Sequence, residues 1–223
     1  MPCILGIDTS APEGSVALAR DGRGGAIEML SPGGHSSGLS AAVGRLLEAA
    51  GIGLDAVGAF AVNEGPGSFT GLRIGLAWAK GAALGSSRPL VLGRAHDAMA
   101  LAHAADAERL VTAIPGARGL VEAALWERGA VAWGPDTIEE GDLIPRLLER
   151  GTGGLAIVPA TAKLARSLAE EAAEEEIAIL GSRPLAPAVA AIGAHLLEQG
   201  QGADLILASP AYGREPNARK PGS

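Results

Sequence analysis

The sequence predicts an α/β layer fold, and two observations carry that prediction. Short apolar runs alternate along the chain with segments whose apolar residues recur every three or four positions. The first pattern is typical of buried strands and the second of amphipathic helices, so their alternation indicates sheets covered by helices. In addition, a glycine-rich turn within residues 63–75 joins one predicted strand directly to a helix.

The first half of the chain begins with strands and continues as alternating helices and strands. Apolar runs predict strands at residues 4–10, 15–19, 26–30, 56–62 and 89–92. Asp21 and Gly22 predict a hairpin turn, and residues 31–34 predict a loop. Helices are predicted at residues 35–50, from the glycine-rich turn to about residue 84, and at 96–108. We therefore expect an N-terminal lobe of residues 1–107.

The second half repeats this alternation. Strands are predicted at residues 110–114, 119–126, 129–133 and 155–158, and helices at 136–150, 160–175 and 187–198. Pro145 interrupts the first of these helices. We expect a C-terminal lobe of residues 108–213, followed by a tail of residues 214–223 that contains Pro, Gly and Lys and is expected to be disordered.

The glycine-rich turn is a candidate nucleotide or phosphate loop. Free backbone N–H groups at a helix start bind anions. The order strand, Asp8, turn, strand resembles the opening of actin-like and sugar-kinase-like phosphotransferase folds, and that resemblance implies that Asp8 would face phosphates or their metal. The candidate residues are Asp8, Thr9, Gly65, Gly67, Ser68 and Thr70, with Ser68 or Thr70 also a helix cap. The alternative is a tight strand-to-helix connection without a ligand, in which Asp8 bonds local backbone N–H groups.

Composition and charge narrow the class of protein. The formal net charge is −7, which argues against a free-standing nucleic-acid binder. The single cysteine, Cys3, excludes an internal disulfide framework. No apolar run reaches the length of a membrane span, and the N-terminus shows no secretion signal. We therefore expect a cytoplasmic protein without a membrane partner.

The strand at residues 4–10 and the string Gly-Pro-Gly-Ser-Phe-Thr-Gly-Leu-Arg-Ile-Gly at 65–75 together resemble the TsaB (YeaZ) family. The likeness is strong over about the first 85 residues and returns at residues 210–214, Pro-Ala-Tyr-Gly-Arg. Residues 114–122 lack the Asp and Tyr of the family's Asp-Ala-Arg-x-Gly-Glu-Val-Tyr segment. The resemblance implies an actin-like/Hsp70-like fold of two related lobes, the second one reduced.

The resemblance also implies a function. Members of this family are non-catalytic scaffolds that bind and activate a TsaD-like enzyme, which transfers a threonylcarbamoyl group to the adenosine next to the anticodon of tRNA. The implied partners are that TsaD-like catalytic subunit, a TsaE-like ATPase, and tRNA only through the complex. No resident cofactor is expected, although the loop leaves weak ATP or ADP binding open.

Small residues suggest where a partner would dock. Gly71, Gly75, Ala79 and Ala83 recur every four residues and form one flat helix face. Such a ridge serves either internal packing or a subunit interface. The resemblance implies pairing through this helix and the one before it. The expected interface residues are Leu39, Val43, Leu46, Gly71, Leu72, Gly75, Trp78, Ala79 and Ala83, with a homodimer competing with the heterodimer.

No catalytic residue or metal site is predicted. The TsaD relative holds a metal through a His-x-x-x-His motif, and no two of His35, His96, His103 and His195 are four apart. Each of the four is expected to be a surface or cap histidine. Two other classes remain open: an autonomous ATPase, small-molecule kinase or metallopeptidase-like hydrolase of the same fold, and a homodimeric structural protein.

Overall fold

The computed structural model describes residues 2–20, 23–31 and 35–211, and these residues form two five-stranded mixed sheets. The strands of the first sheet are β1 (Cys3–Asp8), β2 (Ser15–Arg20), β3 (Arg23–Met29), β4 (Val57–Gly65) and β5 (Leu90–Arg94). Their order is β3-β2-β1-β4-β5. The first three strands form an antiparallel meander, whereas β1, β4 and β5 run parallel.

The second sheet has the same topology as the first. Its strands are β6 (Arg109–Pro115), β7 (Leu120–Glu127), β8 (Ala130–Glu139), β9 (Leu155–Pro159) and β10 (Ala178–Ile179). Their order is β10-β9-β6-β7-β8. When this order is followed from β8 to β10, it matches the first sheet strand for strand, with the same parallel and antiparallel pairs. The predicted α/β fold of two related lobes is therefore confirmed, and the final strand of the second lobe is only two residues long.

In the part of the chain that the structure describes, six α-helices connect and cover these sheets. They are α1 (His35–Ala49), α2 (Phe69–Ser86), α3 (Ala95–Ala102), α4 (Leu143–Leu148), α5 (Ala162–Glu174) and α6 (Ala186–Glu198). Helices α1 and α2 cover one face of the first sheet around an apolar core that includes Leu5, Leu46 and Phe60. Helices α4 and α5 belong to the second lobe, whose core includes Ile144, Ile157 and Leu164.

Helix α6 comes from the C-terminal half of the chain but packs on the first lobe. It contacts β1, β2, β4 and β5 on the face opposite α1 and α2. The approach is close, because a Cβ at Gly6 would overlap the backbone and side chain of Ala190. The predicted lobe boundary at residue 107 stays a prediction, but the first lobe draws its second cover from residues beyond that boundary.

Two predicted helices differ from the structure, and one strand was not predicted. The helix predicted at 96–108 ends at Ala102, where His103 and Asp106 form a turn before β6. The helix predicted at 136–150 is strand β8 up to Glu139, because Ile138 pairs with Val121 of β7, and α4 begins only at Leu143. Strand β10 was missed because two residues carry no periodicity. Asp21 and Gly22, residues 32–34 and the tail 214–223 lie outside the described residues.

Candidate functional site

Asp8 lies at the carboxyl end of β1, beside Asn63 near the end of the parallel strand β4. Its carboxylate is 2% exposed. Asp8 Oδ1 accepts hydrogen bonds from the Ser10 backbone N–H at 3.0 Å and from Asn63 Nδ2 at 2.8 Å. The expected alternative, in which Asp8 bonds a local backbone N–H, is thus confirmed. Sequence reasoning missed Asn63, although a polar residue directly after the apolar run of β4 was the signal.

Asn63 joins the two strand ends to the glycine-rich loop. Its Nδ2 also donates to Ser10 Oγ at 3.0 Å, and its Oδ1 accepts from the Gly65 backbone N–H at 2.9 Å. A buried amide that uses both its donor and its acceptor fixes the relative position of all the groups it contacts. The loop is consequently held to β1 and β4 by the chain's own side chains.

The glycines of the loop are explained by close packing. Gly65 has φ +118°, a conformation that favours glycine, and a Cβ there would overlap the Ala211 carbonyl. A Cβ at Gly67 would meet Ser10. The Ser68 backbone N–H donates to the Ser10 carbonyl at 2.7 Å. These contacts support the alternative of a tight strand-to-helix connection, and the nucleotide hypothesis stays a prediction.

Ser68, one of the two residues predicted to cap this helix, is the N-cap of α2. Its Oγ accepts from the Gly71 backbone N–H at 3.2 Å, whereas Thr70 is exposed within the first turn. Gly65, Ser68 and Gly71 therefore each direct a backbone N–H to an oxygen of the chain itself. Three donors of the predicted anion cradle are already used in this conformation.

The glycine-and-alanine ridge of α2 faces inward. A Cβ at Gly71 would overlap the Thr9 backbone carbonyl, and one at Gly75 would overlap Thr9 Oγ1. The same hydroxyl donates to the Gly71 carbonyl at 2.8 Å. Ala79 and Ala83 are fully buried. The ridge thus lets α2 lie directly on the end of β1, which is the internal-packing alternative.

The residues predicted to form a subunit interface also need a correction, because most of them are buried within the chain. Eight of them are buried within the first lobe, namely Leu39, Val43, Leu46, Gly71, Leu72, Gly75, Ala79 and Ala83. Trp78 alone of the nine is partly exposed, with its Nε1 donating to Ser40 Oγ at 2.9 Å. A spacing of four identifies one face of a helix, but it does not tell which face points outward.

The outward side of α1 and α2 carries a different set of small residues. We call it the helix-pair face, and it consists of Gly38, Ala41, Gly44, Ala77, Gly81 and Leu84. A Cβ at any of its three glycines would meet no neighbouring atom within 4 Å. The side chain of Leu84 is 72% exposed. This face is open and carries mostly small residues, whereas the inner ridge is buried against Thr9.

A cleft of about 330 Å³ separates the two lobes next to the loop. Ala95, Met99 and His103 of α3 and its C-cap line one side, and the start of α5 lines another. His103 is 1% exposed and is the C-cap of α3, so its prediction as a surface or cap histidine is confirmed as a cap. Its Nδ1 lies 2.8 Å from Asp106 Oδ2, and this hydrogen bond lowers the pKa of Asp106.

His96 is also buried, contrary to prediction, and belongs to a polar chain between α3 and the second sheet. Its Nδ1 lies 2.7 Å from Thr112 Oγ1, which accepts from Trp126 Nε1 at 3.0 Å. Its Nε2 lies 3.3 Å from Glu122 Oε1 without hydrogen-bond geometry. The remaining histidine with a described side chain, His195, is exposed as predicted, and the His35 side chain lies outside the described residues.

A second cavity of about 300 Å³ lies on the other side of the loop and contains Arg94, Asp97 and Glu122. Desolvation raises the pKa of the Asp97 carboxyl and of the nearby Glu64 carboxyl, while the Arg94 guanidinium opposes the rise in both. Within residues 2–20, 23–31 and 35–211, no group of three or more His, Cys, Asp or Glu side chains is arranged to hold a metal ion. None of the described helices has the length and apolar character needed to span a bilayer.

A family model described as TsaD, tRNA N6-adenosine threonylcarbamoyltransferase, matches residues 21–140, more than half of the chain. The chain belongs to this family. Its relatives include a tRNA threonylcarbamoyladenosine biosynthesis protein TsaB from Escherichia coli, 42% identical over 88 residues. A tRNA N6-adenosine threonylcarbamoyltransferase from a Geobacter species is 32% identical over 105 residues.

These alignments are partial. Each covers 40% of this chain, and they span only 38% of the E. coli protein and 31% of the Geobacter protein. A crystal structure from Pseudomonas aeruginosa, described as similar to peptidase YEAZ, superimposes over 96% of this chain and 100% of its own, with a TM-score of 0.79 and 25% identity. The resemblance to the TsaB (YeaZ) family is thereby confirmed, and the two-lobed actin-like fold extends over nearly the whole chain.

Proposed function

We propose that this chain is a non-catalytic subunit that docks onto a TsaD-like threonylcarbamoyltransferase and activates it. The observation that carries the proposal is the helix-pair face, where three glycines lie open to solvent. Glycine inside a helix costs roughly 0.5–1 kcal/mol relative to alanine. No neighbour within the chain requires a residue without a Cβ at Gly38, Gly44 or Gly81. The cost of glycine at these positions is therefore best explained by the close approach of another molecule.

The loop geometry supports a subunit without chemistry of its own. Asp8, the residue expected to face phosphates or their metal, accepts a hydrogen bond from Asn63, and Asn63 also bonds the loop. They act as a clamp that sets the start of α2 and hence the orientation of the helix-pair face. In this proposal tRNA is contacted only within the complex, and a TsaE-like ATPase joins the same assembly.

The same face would also serve a second copy of this chain. Two flat helix pairs can pack against each other as well as against a relative with a similar surface. We therefore expect the homodimer and the heterodimer to exclude each other. Adding the TsaD-like protein should reduce the homodimer fraction in sedimentation velocity measurements.

Docking is tested by a matched pair of substitutions. Ala77→Arg places a bulky cation on the helix-pair face, and Ala169→Arg makes the same change on the exposed side of α5. Overpacking a close contact costs about 1–3 kcal/mol, which corresponds to roughly 5- to 150-fold in the dissociation constant. Biolayer interferometry with the TsaD-like protein of the same organism should show this loss for Ala77→Arg only.

The modification assay tests the rest of the proposal. Purified TsaD-like enzyme should modify tRNA with the wild-type chain and with Ala169→Arg, and poorly with Ala77→Arg or without the chain. Equal affinity of both variants would reject the helix-pair face as the docking site. Turnover of ATP, a small-molecule phosphoryl acceptor or a peptide by the isolated chain would instead support the autonomous enzyme.

A further inference from the structure

His96 forms a buried contact between α3 and the second sheet. The imidazole is 2% exposed. Its Nδ1 lies 2.7 Å from Thr112 Oγ1 on β6, and its Nε2 lies 3.3 Å from Glu122 Oε1 on β7. A buried imidazole interacts differently with its neighbours in its neutral and its charged form. The charge of His96 therefore affects how strongly α3 is joined to the second sheet.

The Thr112 hydroxyl can serve His96 in either charge state. Its Oγ1 accepts from Trp126 Nε1 at 3.0 Å. The single hydroxyl hydrogen then has two possible acceptors, His96 Nδ1 at 2.7 Å and the Ala124 carbonyl at 3.4 Å. With a neutral imidazole, Nδ1 accepts this hydrogen, and the proton on Nε2 points toward the Glu122 carboxylate. With an imidazolium, Nδ1 donates to Thr112 and the hydroxyl hydrogen turns to the Ala124 carbonyl, so proton uptake requires only the rotation of one hydroxyl.

The surroundings of His96 contain more acidic than basic groups. The adjoining cavity of about 300 Å³ is lined by Asp97 and Glu122, and Arg94 is the permanently charged cation among its described lining residues. Arg94 Nε also lies 3.9 Å from Glu64 Oε1, so one guanidinium serves three carboxyls. Desolvation raises the pKa of both Glu64 and Asp97, and positive charge on Arg94 and then on His96 opposes the rise at Asp97. A charged His96 would supply the second cation of this cluster.

The other elements that pack on α3 are β4, β5, β6 and α6. Strands β4 and β5 contribute Glu64 and Arg94 of the cluster, and β6 faces His96 with a neutral hydroxyl. The titratable side chains of α6, His195 and Glu198, are exposed. The charge of His96 is therefore governed by the three carboxyls and the guanidinium of the cluster.

We propose that His96 is a pH-sensitive connection between α3 and the second sheet. Uptake of a proton at Nδ1 turns the contact with Glu122 into an ion pair, and Coulomb attraction acts even where hydrogen-bond geometry is lacking. Loss of the proton leaves the neutral hydrogen bond to Thr112. The junction is thus stronger at about pH 5.5 than at about pH 8.5, on either side of the range in which histidine changes charge. It includes no residue of the helix-pair face, so the proposal does not depend on docking.

Nitrogen-15 NMR of the imidazole ring follows this proton directly. Between about pH 8.5 and 5.5 the His96 resonances should move to the range of an imidazolium. In Glu122→Gln the same transition should occur at lower pH, because the carboxylate that favours the charged form is gone. Glu127→Gln makes the same change further along β7, where Glu127 pairs with Arg109, and should leave the transition unchanged.

A double-mutant cycle measures the strength of the contact. In urea titrations, His96→Gln and Glu122→Gln should be coupled by about tenfold in the unfolding equilibrium constant at about pH 5.5, and not at about pH 8.5. An imidazolium that gains a partner on folding stabilises the folded state in acid, and this contribution is lost as pH rises. The control cycle of His96→Gln with Glu127→Gln should show no coupling at either pH.

Amide hydrogen exchange decides if His96→Gln does not fold. Protection factors of residues 95–102, which correct for the intrinsic pH dependence of exchange, should be about tenfold higher at about pH 5.5 than at about pH 8.5. In Glu122→Gln they should be equal at the two pH values. A His96 resonance without a transition in this range, a transition that Glu122→Gln leaves unmoved, or a coupling equal at both pH values overturns the proposal.

Discussion

Replacing Gly71 with alanine tests whether the inner ridge of α2 serves packing within the chain. The new Cβ would overlap the Thr9 backbone carbonyl, which cannot rotate away as a flexible side chain would. Either α2 or the end of β1 must shift. The shift would also strain the hydrogen bond from Thr9 Oγ1 to the Gly71 carbonyl, now 2.8 Å long.

The size of the effect follows from three contributions. Overpacking costs about 1–3 kcal/mol, and a weakened buried hydrogen bond adds roughly 0.5–1.5 kcal/mol. The better helix propensity of alanine returns about 1 kcal/mol. We therefore expect Gly71→Ala to lower the free energy of unfolding by about 0.5–3.5 kcal/mol, or roughly 1–14 °C in Tm for a chain of this size.

Gly81→Ala is the matched control on the same helix. A Cβ at Gly81 meets nothing within 4 Å, so only the propensity gain remains. Its Tm should rise slightly, by about 2–4 °C. Both variants are measured by differential scanning calorimetry at a concentration where the chain is monomeric. A Gly71→Ala variant as stable as Gly81→Ala would refute the assignment of the inner ridge to internal packing.

Three further predictions concern other parts of the molecule. Asn63→Ala should lower stability by about 1–3 kcal/mol in urea titrations, because Asp8 loses a buried donor; an unchanged midpoint would show that the clamp contributes nothing. Burial raises the pKa of Glu64 in the folded protein, so the protonated carboxyl contributes to the free energy of unfolding. This contribution is complete below the ordinary pKa of 4.5 and is lost as pH rises through the folded-state pKa. Glu64→Gln should therefore gain stability relative to the wild type between pH 4 and 7, and a pH-independent difference would contradict this. Lys80→Met removes the ammonium that donates to the Ala208 carbonyl at 3.0 Å, so proteolysis should become faster within residues 203–211. Equal cleavage rates of the variant and the wild type would show that Lys80 does not hold this segment in place.

The spacing of apolar residues was sufficient to predict the alternating strands and helices, but it did not predict which strands pair with each other. The alternation of apolar runs and helical spacings predicted both lobes, and Ser68 was correctly placed at a helix start. The pattern at residues 136–150 failed because the pairing of Ile138 with Val121 is a tertiary contact. Long-range pairing of this kind overrides local preference and leaves no trace in spacing.

The site shows the same limit. Glycine and alanine every four residues predicted a flat helix face correctly, but burial depends on Thr9, which lies 62 residues from Gly71. His96 was predicted to be a surface or cap residue because its buried partner, Thr112, is identified only by the fold. Asn63 was overlooked although it directly follows the apolar run of β4.

The return of α6 to the first lobe has a consequence during synthesis on the ribosome. Residues up to Arg94 complete the first sheet, but its second face stays uncovered until Ala186–Glu198 has been made. At about 5–20 residues per second this interval lasts roughly 5–20 s. A nascent chain therefore carries a half-covered sheet for seconds, which makes it a substrate for chaperones, and a fragment that stops short of α6 is expected to aggregate rather than fold.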